Sequence, residues 1–241
     1  FPVPTVESEY IMSSEQFQYS HVCSLSEKDD GRIVASFQAG SGEKHPDSKI
    51  WYSVRNQTGS WAPVKVAVSG GNVCVMNSVQ YDNGEGKLFL MFHSGGDILT
   101  KKGYCSTHSW DSYYTVSYDG GLTWEPEWYE YNGCPDCLGS VKNNCIKMSN
   151  GEVLCPTSTE ATLRVGYWAA HFETTNANFT EWERHKEILF NWSEEKQKAC
   201  MGIIQPTVVE TSKKGEMFAF FRSGCGILAQ ARSTDYGRTW P

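Results

Sequence analysis

Several polar and ionisable side chains stand where short apolar runs begin or end, at positions where a strand core does not need them. They are His21, Asn77, His93, Lys142, Asn143, Glu160, Gln205 and Arg222. Histidine can exchange a proton near neutral pH, and lysine and arginine can bind an acidic group through charge-assisted hydrogen bonds. Such a set fits a site for a carbohydrate that carries an acid. Each residue also has a structural interpretation, in hydrogen bonds or salt bridges at the end of a sheet.

The elements that must position these residues are marked by a repeat. The pattern S-x-D-x-G-x-T-W occurs at 117–124 and 233–240, and two degraded copies end at Trp61 and Trp182. The four final tryptophans follow one another at intervals of 63, 58 and 58 residues. We expect the Asp and Gly of the motif to close a hairpin turn. We expect the Trp to pack against the next unit.

Short β-rich runs recur within these repeats, separated by Gly, Asn and Asp, and no long stretch shows a helical period. Examples lie at 33–37, 87–92, 152–155 and 216–221. About four strands in a period near 58 residues are typical of a β-propeller. The sequence therefore predicts an all-β fold in which the innermost strands of the units surround one axis.

The repeated motif is an Asp box, and from about residue 19 to its end the chain resembles the sialidase-like superfamily of BNR-repeat proteins, in its sialidase-related branch. The resemblance extends to the stretches 50–53, 156–160 and 204–207. It implies a β-propeller of sialidase type, six-bladed in the superfamily, of which four repeats are visible here. We expect residues 1–241 to be a single propeller domain that is incomplete at its C-terminus. Its repeats end near Trp61, Trp124, Trp182 and Trp240.

The resemblance also implies roles for individual residues. Asp47 lies in a loop that matches the region carrying the acid/base Asp of sialidases, with turn chemistry as the alternative. We expect His21, Asp47 and Glu160 to be catalytic. The expected substrate-binding residues are Asn77, His93, Lys142, Asn143, Gln205 and Arg222. Sialidases hold the sialic acid carboxylate with an Arg triad, and His21 stands here in the place of one Arg, so the resemblance supports glycan chemistry more than sialic acid itself.

Three functions remain open. The first is a glycoside hydrolase of exo-sialidase type, with Asp47 as acid/base, an acidic group on Lys142 and Arg222, and a nucleophile from later blades. The second is a uronic-acid polysaccharide lyase in which His21 or His93 takes the C5 proton. The third is a non-catalytic propeller that binds glycans or builds an extracellular assembly. No cofactor and no metal are expected for any of them.

Composition limits the partners and the compartment. The net charge of −7 argues against a nucleic-acid binder, and no apolar window approaches the ~18 residues of a membrane span. Nine Cys and the sequons at Asn56, Asn178 and Asn191 favour a secreted glycoprotein with disulfides. We expect a local disulfide at Cys134 and Cys137 rather than zinc, because a second pair at matching spacing is lacking.

Overall fold

The structure, a computed structural model, describes residues 8–13, 15–95, 105, 110–160, 168–188 and 200–241. Within these ranges the secondary structure consists of β-strands, without a helix. The strands are β1 (Tyr19–Glu27), β2 (Ile33–Gly40), β3 (Lys49–Arg55), β4 (Lys65–Val68), β5 (Val75–Asp82), β6 (Leu88–Gly95), β7 (Trp110–Ser117), β8 (Ile146–Lys147), β9 (Val153–Glu160), β10 (Trp168–Thr175), β11 (Trp182–Arg184), β12 (Ile203–Glu210), β13 (Met217–Ser223) and β14 (Leu228–Ser233). The described residues thus contain no helix long and apolar enough to cross a membrane.

The strands form four antiparallel sheets, each built from consecutive strands. Their orders are β1-β2-β3-β4, β5-β6-β7, β8-β9-β10-β11 and β12-β13-β14. Turns with Gly at positive φ join the first two strands of each sheet, for example at Gly31 (φ 79°) and Gly151 (φ 91°). Such φ values favour glycine because it has no Cβ. The prediction of an all-β chain with four repeated units is confirmed.

Hydrophobic cores lie between successive sheets. Ile50 and Leu90 belong to the core between the first and second sheets. Phe89 and Phe179 stack at 4.2 Å between the second and third, and Phe172 and Phe221 lie between the third and fourth. Because each sheet packs on the next in chain order, the sheets form the blades of a β-propeller. We call them blades 1 to 4.

The two intact Asp boxes close their turns in the same way. Asp119 Oδ1 accepts the N–H groups of Leu122 and Thr123 at 2.9 Å each, and its Oδ2 accepts the Thr123 hydroxyl at 2.5 Å. Asp235 binds Thr239 through the same pair of contacts. In the degraded box of blade 3, Asn176 takes the place of the Asp and accepts two backbone N–H groups at 3.1 Å.

The box tryptophans pack on the preceding blade, so the expectation that they pack against the next unit was wrong. Trp124 packs edge to face on Tyr52 of blade 1, with ring centroids 6.2 Å apart. Trp240 stacks on Phe172 of blade 3 at 4.6 Å. The box turn follows the outer strand of its own blade, and the chain there folds back over the core shared with the blade before it.

Four disulfides use eight of the nine cysteines. They join Cys74 to Cys105, Cys134 to Cys137, Cys145 to Cys155 and Cys200 to Cys225. The predicted bond between Cys134 and Cys137 is therefore confirmed. Cys23 is the free cysteine and is exposed on β1.

Candidate functional site

Three blades carry the same backbone irregularity on their innermost strand. The register of β1, β5 and β12 shifts after His21, Met76 and Ile204, respectively. The residue that follows each of them has positive φ, namely Val22 (48°), Asn77 (58°) and Gln205 (55°). Non-glycine residues in the left-handed region are uncommon and cost free energy. Their recurrence at one place in three blades makes this end of the inner strands the candidate functional region.

His21 and Lys142 meet at this end although 121 residues separate them. The Lys142 ammonium donates to His21 Nε2 at 3.2 Å. Burial lowers the pKa of His21, the Lys142 and Arg222 charges lower it further, and Glu43 opposes them. His21 is consequently neutral at pH 7, with Nε2 unprotonated and facing a cation.

Gln205 connects residues of three further strands and loops. Its Nε2 donates to Glu160 Oε1 at 2.9 Å, and its Oε1 accepts from Arg222 at 3.4 Å. Its backbone carbonyl accepts the Asn143 amide at 2.9 Å. The positive φ of Gln205 turns this side chain away from the regular strand face, so that one residue reaches both Glu160 and Arg222.

The structure thus brings together six of the residues singled out in the sequence. We call this group the central cluster: His21, Lys142, Asn143, Glu160, Gln205 and Arg222. It draws on blades 1, 3 and 4, and its members are half-buried or exposed. Polar donors, cations and a carboxylate that converge at one end of the inner strands are suited to binding a carbohydrate.

A buried carboxylate holds the loop that delivers Lys142 and Asn143. Glu173 is fully buried on β10, and its two oxygens accept the N–H groups of Leu138 and Gly139 at 2.9 and 2.8 Å. His171 Nε2 contacts the same carboxylate at 3.1 Å. Since both backbone donors lie a few residues before Lys142, this contact fixes the path of the loop.

Three other candidate residues lie apart from these contacts. Asp47 accepts the N–H of Ser41 at 3.2 Å and contacts His45 Nδ1 at 2.7 Å. Burial raises the pKa of Asp47, but the hydrogen bonds from Ser41 and His45 together outweigh it and leave the pKa below its usual value. Asp47 is therefore ionised at neutral pH in this turn, which does not favour it as a proton donor.

His93 and Asn77 belong to blade 2. His93 is fully buried, contacts the Ser112 hydroxyl at 2.9 Å and packs against Trp110 at 4.5 Å. Burial lowers its pKa to about 3. The Asn77 backbone N–H donates to the Gln38 side chain at 3.1 Å. Within the described part of the chain, no hydrogen bond joins either residue to the central cluster.

Two aromatic residues of this region, Tyr19 and Trp168, were not predicted as site residues from the sequence. Tyr19 lies two residues before His21, with ring centroids 5.9 Å apart, and burial and then Glu43 raise its pKa. The two-residue period of a strand could have identified it. Trp168 begins β10 and lies under the Arg222 guanidinium, 5.0 Å from ring centroid to Cζ. It has no counterpart in the repeat pattern, so no sequence signal pointed to it.

Among the described residues, no group of three or more His, Cys, Asp or Glu side chains could hold a metal ion. The central cluster contains one carboxylate and one imidazole beside two cations, which would repel a metal. The side chains of the cluster can accept a proton and recognise charge.

Comparison with known proteins agrees with this architecture. The model of the BNR repeat-like domain matches residues 31–241. A protein of unknown function from Dyadobacter fermentans superposes with a TM-score of 0.72 at 16% identity, covering 95% of this chain and 69% of its own. The Hadza microbial sialidase Hz136 superposes with a TM-score of 0.71 at 16% identity, covering 92% of this chain and 45% of its own.

Trypanosoma rangeli sialidase in complex with sialic acid superposes with a TM-score of 0.67 at 17% identity, over 93% of this chain and 37% of its own. The chain thus spans less than half of either sialidase. A search of curated proteins found no match. The family model covers most of the sequence, and the likeness to sialidases extends through all four blades. This chain therefore belongs to the BNR repeat-like domain family and has the fold of the sialidase β-propellers.

Proposed function

We propose that this chain is a secreted, sialidase-like propeller that binds acid-bearing glycans at the central cluster and cleaves them as a glycoside hydrolase of exo-sialidase type. One observation carries the proposal: Lys142 and Arg222 converge on His21 from different blades, and no carboxylate among the described residues forms an ion pair with either. Two cations without an ion-pair partner among the described residues, in a chain of net charge −7, favour an anionic ligand.

The contacts suggest how the acid would bind. A sugar carboxylate would replace His21 as the partner of Lys142 and take the N–H groups of Arg222 in a bidentate pair. The Glu160 carboxylate would then accept hydrogen bonds from the sugar hydroxyls, and the Gln205 amide would donate to them. His21 Nε2, released from Lys142, would be free to accept a proton.

Family membership favours hydrolysis as the reaction. In that reaction an acid protonates the leaving oxygen and a water completes the cleavage. Asp47 is the proposed acid/base, and its hydrogen bonds to Ser41 and His45 would have to loosen before it could carry a proton. The turn that holds Asp47 follows β2, at the same end of blade 1 as His21.

Product analysis tests the proposal. The protein would be incubated with sialyllactose and with uronic-acid polysaccharides, and products would be measured by mass spectrometry and ultraviolet absorbance. Hydrolysis gives free acid sugar without new absorbance, and Asp47→Asn should abolish it while Asp111→Asn, an exposed carboxylate on β7, leaves it intact. Equal affinity for sialic acid and its methyl ester would contradict acid recognition.

A uronic-acid lyase is the second candidate, because neutral His21 stands directly beside Lys142. In that reaction Lys142 or Arg222 neutralises the substrate carboxylate, and His21 Nε2 removes the C5 proton. The C–H electrons form the C4–C5 double bond as the C4–O bond breaks. Tyr19, which its raised pKa keeps protonated, supplies a proton to the leaving oxygen. An unsaturated product that absorbs in the ultraviolet would indicate this reaction in place of hydrolysis. Its loss in His21→Ala would assign proton removal to His21.

Secretion and glycosylation form part of the same proposal. Asn56 and Asn178 are exposed in box turns, where an oligosaccharide can be accommodated, and Asn191 lies outside the described residues. The four disulfides fit an oxidising compartment. A mass shift after peptide N-glycosidase treatment of the protein from a eukaryotic host would support glycosylation.

Glycan binding without any product would instead favour a non-catalytic propeller or an extracellular assembly.

A further inference from the structure

Arg222 differs from the other arginines of the described chain. Arg32, Arg55, Arg184, Arg232 and Arg238 each form an ion pair with a carboxylate. Arg222 has no carboxylate within ion-pair distance among the described residues. It contacts the indole ring of Trp168 and the amide oxygen of Gln205. A guanidinium stacked on an aromatic ring keeps its N–H edge free for a planar anion.

The backbone beneath Trp168 is tightly constrained. Trp168 forms a parallel bridge with Gly202, and its N–H donates to the Met201 carbonyl. A Cβ at Gly202 would lie 2.1 Å from the Trp168 carbonyl oxygen, and Gly202 has φ of 105°. Only glycine therefore allows β10 and the start of β12 to approach so closely.

The segment that follows Arg222 is joined to the same place. Gly224 donates to the Gly202 carbonyl at 2.9 Å, and the Cys200–Cys225 disulfide closes the loop. Ile204 lies opposite Arg222 in the register. Trp168 on β10 and Arg222 on β13 are thus both bound to the start of β12, which fixes the place of the indole face relative to the guanidinium.

We propose that Trp168 is a positioning residue that sets the preference of the central cluster for acidic over neutral sugars by holding the Arg222 guanidinium flat, with its N–H edge available to the ligand. This inference rests on the proposed function, because it assumes that the acid binds at Arg222. It assigns Trp168 a role in selectivity rather than one of general sugar stacking.

The test measures the affinity ratio between an acid sugar and its methyl ester, which differ in charge but share the ring. Binding of sialic acid, of glucuronic acid and of the two methyl esters would be measured by calorimetry for the unmodified protein and its variants. Trp168→Leu removes the aromatic face and should lower the acid-to-ester ratio roughly two- to fivefold. Trp168→Phe keeps a smaller face and should give an intermediate ratio. Arg222→Ala should lower the ratio roughly ten- to hundredfold.

A double-mutant cycle shows whether Trp168 acts through Arg222 or stacks directly on the sugar. If Trp168 acts through Arg222, Trp168→Leu will not change the ratio further in the Arg222→Ala background. Arg232→Ala is the matched control, because Arg232 is an exposed arginine of the same blade and is already paired with Glu216. Its ratio should equal that of the unmodified protein.

The outcomes are distinguishable. A constant ratio in Trp168→Leu, with both ligands weakened alike, overturns the positioning role while a large effect of Arg222→Ala upholds acid recognition. An unchanged ratio in Arg222→Ala overturns the proposed function and this inference with it. Thermal melting of each variant identifies any loss of folding, and Trp168→Phe keeps the test open if Trp168→Leu does not fold.

Discussion

The Asp box of blade 2 allows a stability prediction to be worked from individual contacts. The Asp119 carboxylate accepts four hydrogen bonds: from the Ser117 hydroxyl, from two backbone N–H groups and from the Thr123 hydroxyl. Three of the four use Oδ1. A hydrogen bond contributes about 0.5–1.5 kcal/mol net, and the exposed N–H groups can turn to water when the carboxylate is lost. We expect Asp119→Ala to lower the free energy of unfolding by about 2–3 kcal/mol.

The third blade supplies the matched variant. Asn176 accepts two backbone N–H groups through Oδ1 and donates its amide to the Thr180 hydroxyl at 2.7 Å. Asp119→Asn can adopt the same arrangement, with the amide directed at Thr123. Its cost should therefore be about 0.5–1 kcal/mol, well below that of Asp119→Ala.

The pH dependence follows from the carboxyl pKa. Burial raises the pKa of Asp119, but hydrogen bonds from Thr123, Ser117 and Leu122 together lower it below its usual value. A lowered folded-state pKa means that the carboxylate stabilises the fold above the unfolded pKa of ~3.9. That contribution is lost as the pH falls through the folded pKa. The difference between unmodified protein and Asp119→Asn should thus be largest at neutral pH and shrink in acid.

Urea denaturation followed by tryptophan fluorescence measures these differences, because Trp124 is the last residue of the box. The series would include both variants at pH 7 and at successive steps down to pH 3. Equal costs for Asp119→Asn and Asp119→Ala would refute the assignment of the stabilisation to Oδ1. So would a loss of less than about 0.5 kcal/mol in Asp119→Ala, at the bottom of the range for one hydrogen bond.

Three further outcomes are expected. Glu173→Gln, which leaves one oxygen for the N–H groups of Leu138 and Gly139, should lower the free energy of unfolding by about 2–4 kcal/mol, and an unchanged urea midpoint would contradict it. Phe179→Ala should cost about 3–5 kcal/mol by leaving a cavity between blades 2 and 3, whereas Phe220→Ala on the exposed face of blade 4 should cost under ~1 kcal/mol. Lys142→Met removes a nearby positive charge, so an NMR titration should show a higher pKa for His21 than in the unmodified protein. An unchanged pKa would contradict an electrostatic interaction between the two residues.

The prediction of the fold from sequence rested on local features. An Asp box is short, and its turn is closed by hydrogen bonds within seven residues, so Ser117 to Thr123 carry the structural information themselves. The interval between tryptophans then gives the size of a blade. The direction in which the Trp packs was not predictable in this way, because Tyr52 and Phe172 come from other blades.

The candidate site was predictable only as far as the repeat alignment reached. Equivalent strand ends in a propeller lie around one axis, and this predicts that His21, Lys142 and Arg222 lie close together. His93 came from the same alignment and Asp47 from the family resemblance, yet the structure gives the first a fully buried environment and the second a local turn. Side-chain direction at a strand end depends on register and bulges, which the residue types do not encode locally.

Residue types and spacing alone therefore determined the all-β class, the four units, the local disulfide and a polar set suited to an acidic sugar. Tertiary structure decided which of those side chains meet, because each contact of the central cluster joins segments 17 to 121 residues apart. It also decided the pKa of His21, which depends on burial and on charges brought from other blades. Trp168 acquires its place beneath Arg222 only when β10, β12 and β13 come together, since its interaction with Arg222 is long-range in sequence and has no local signature.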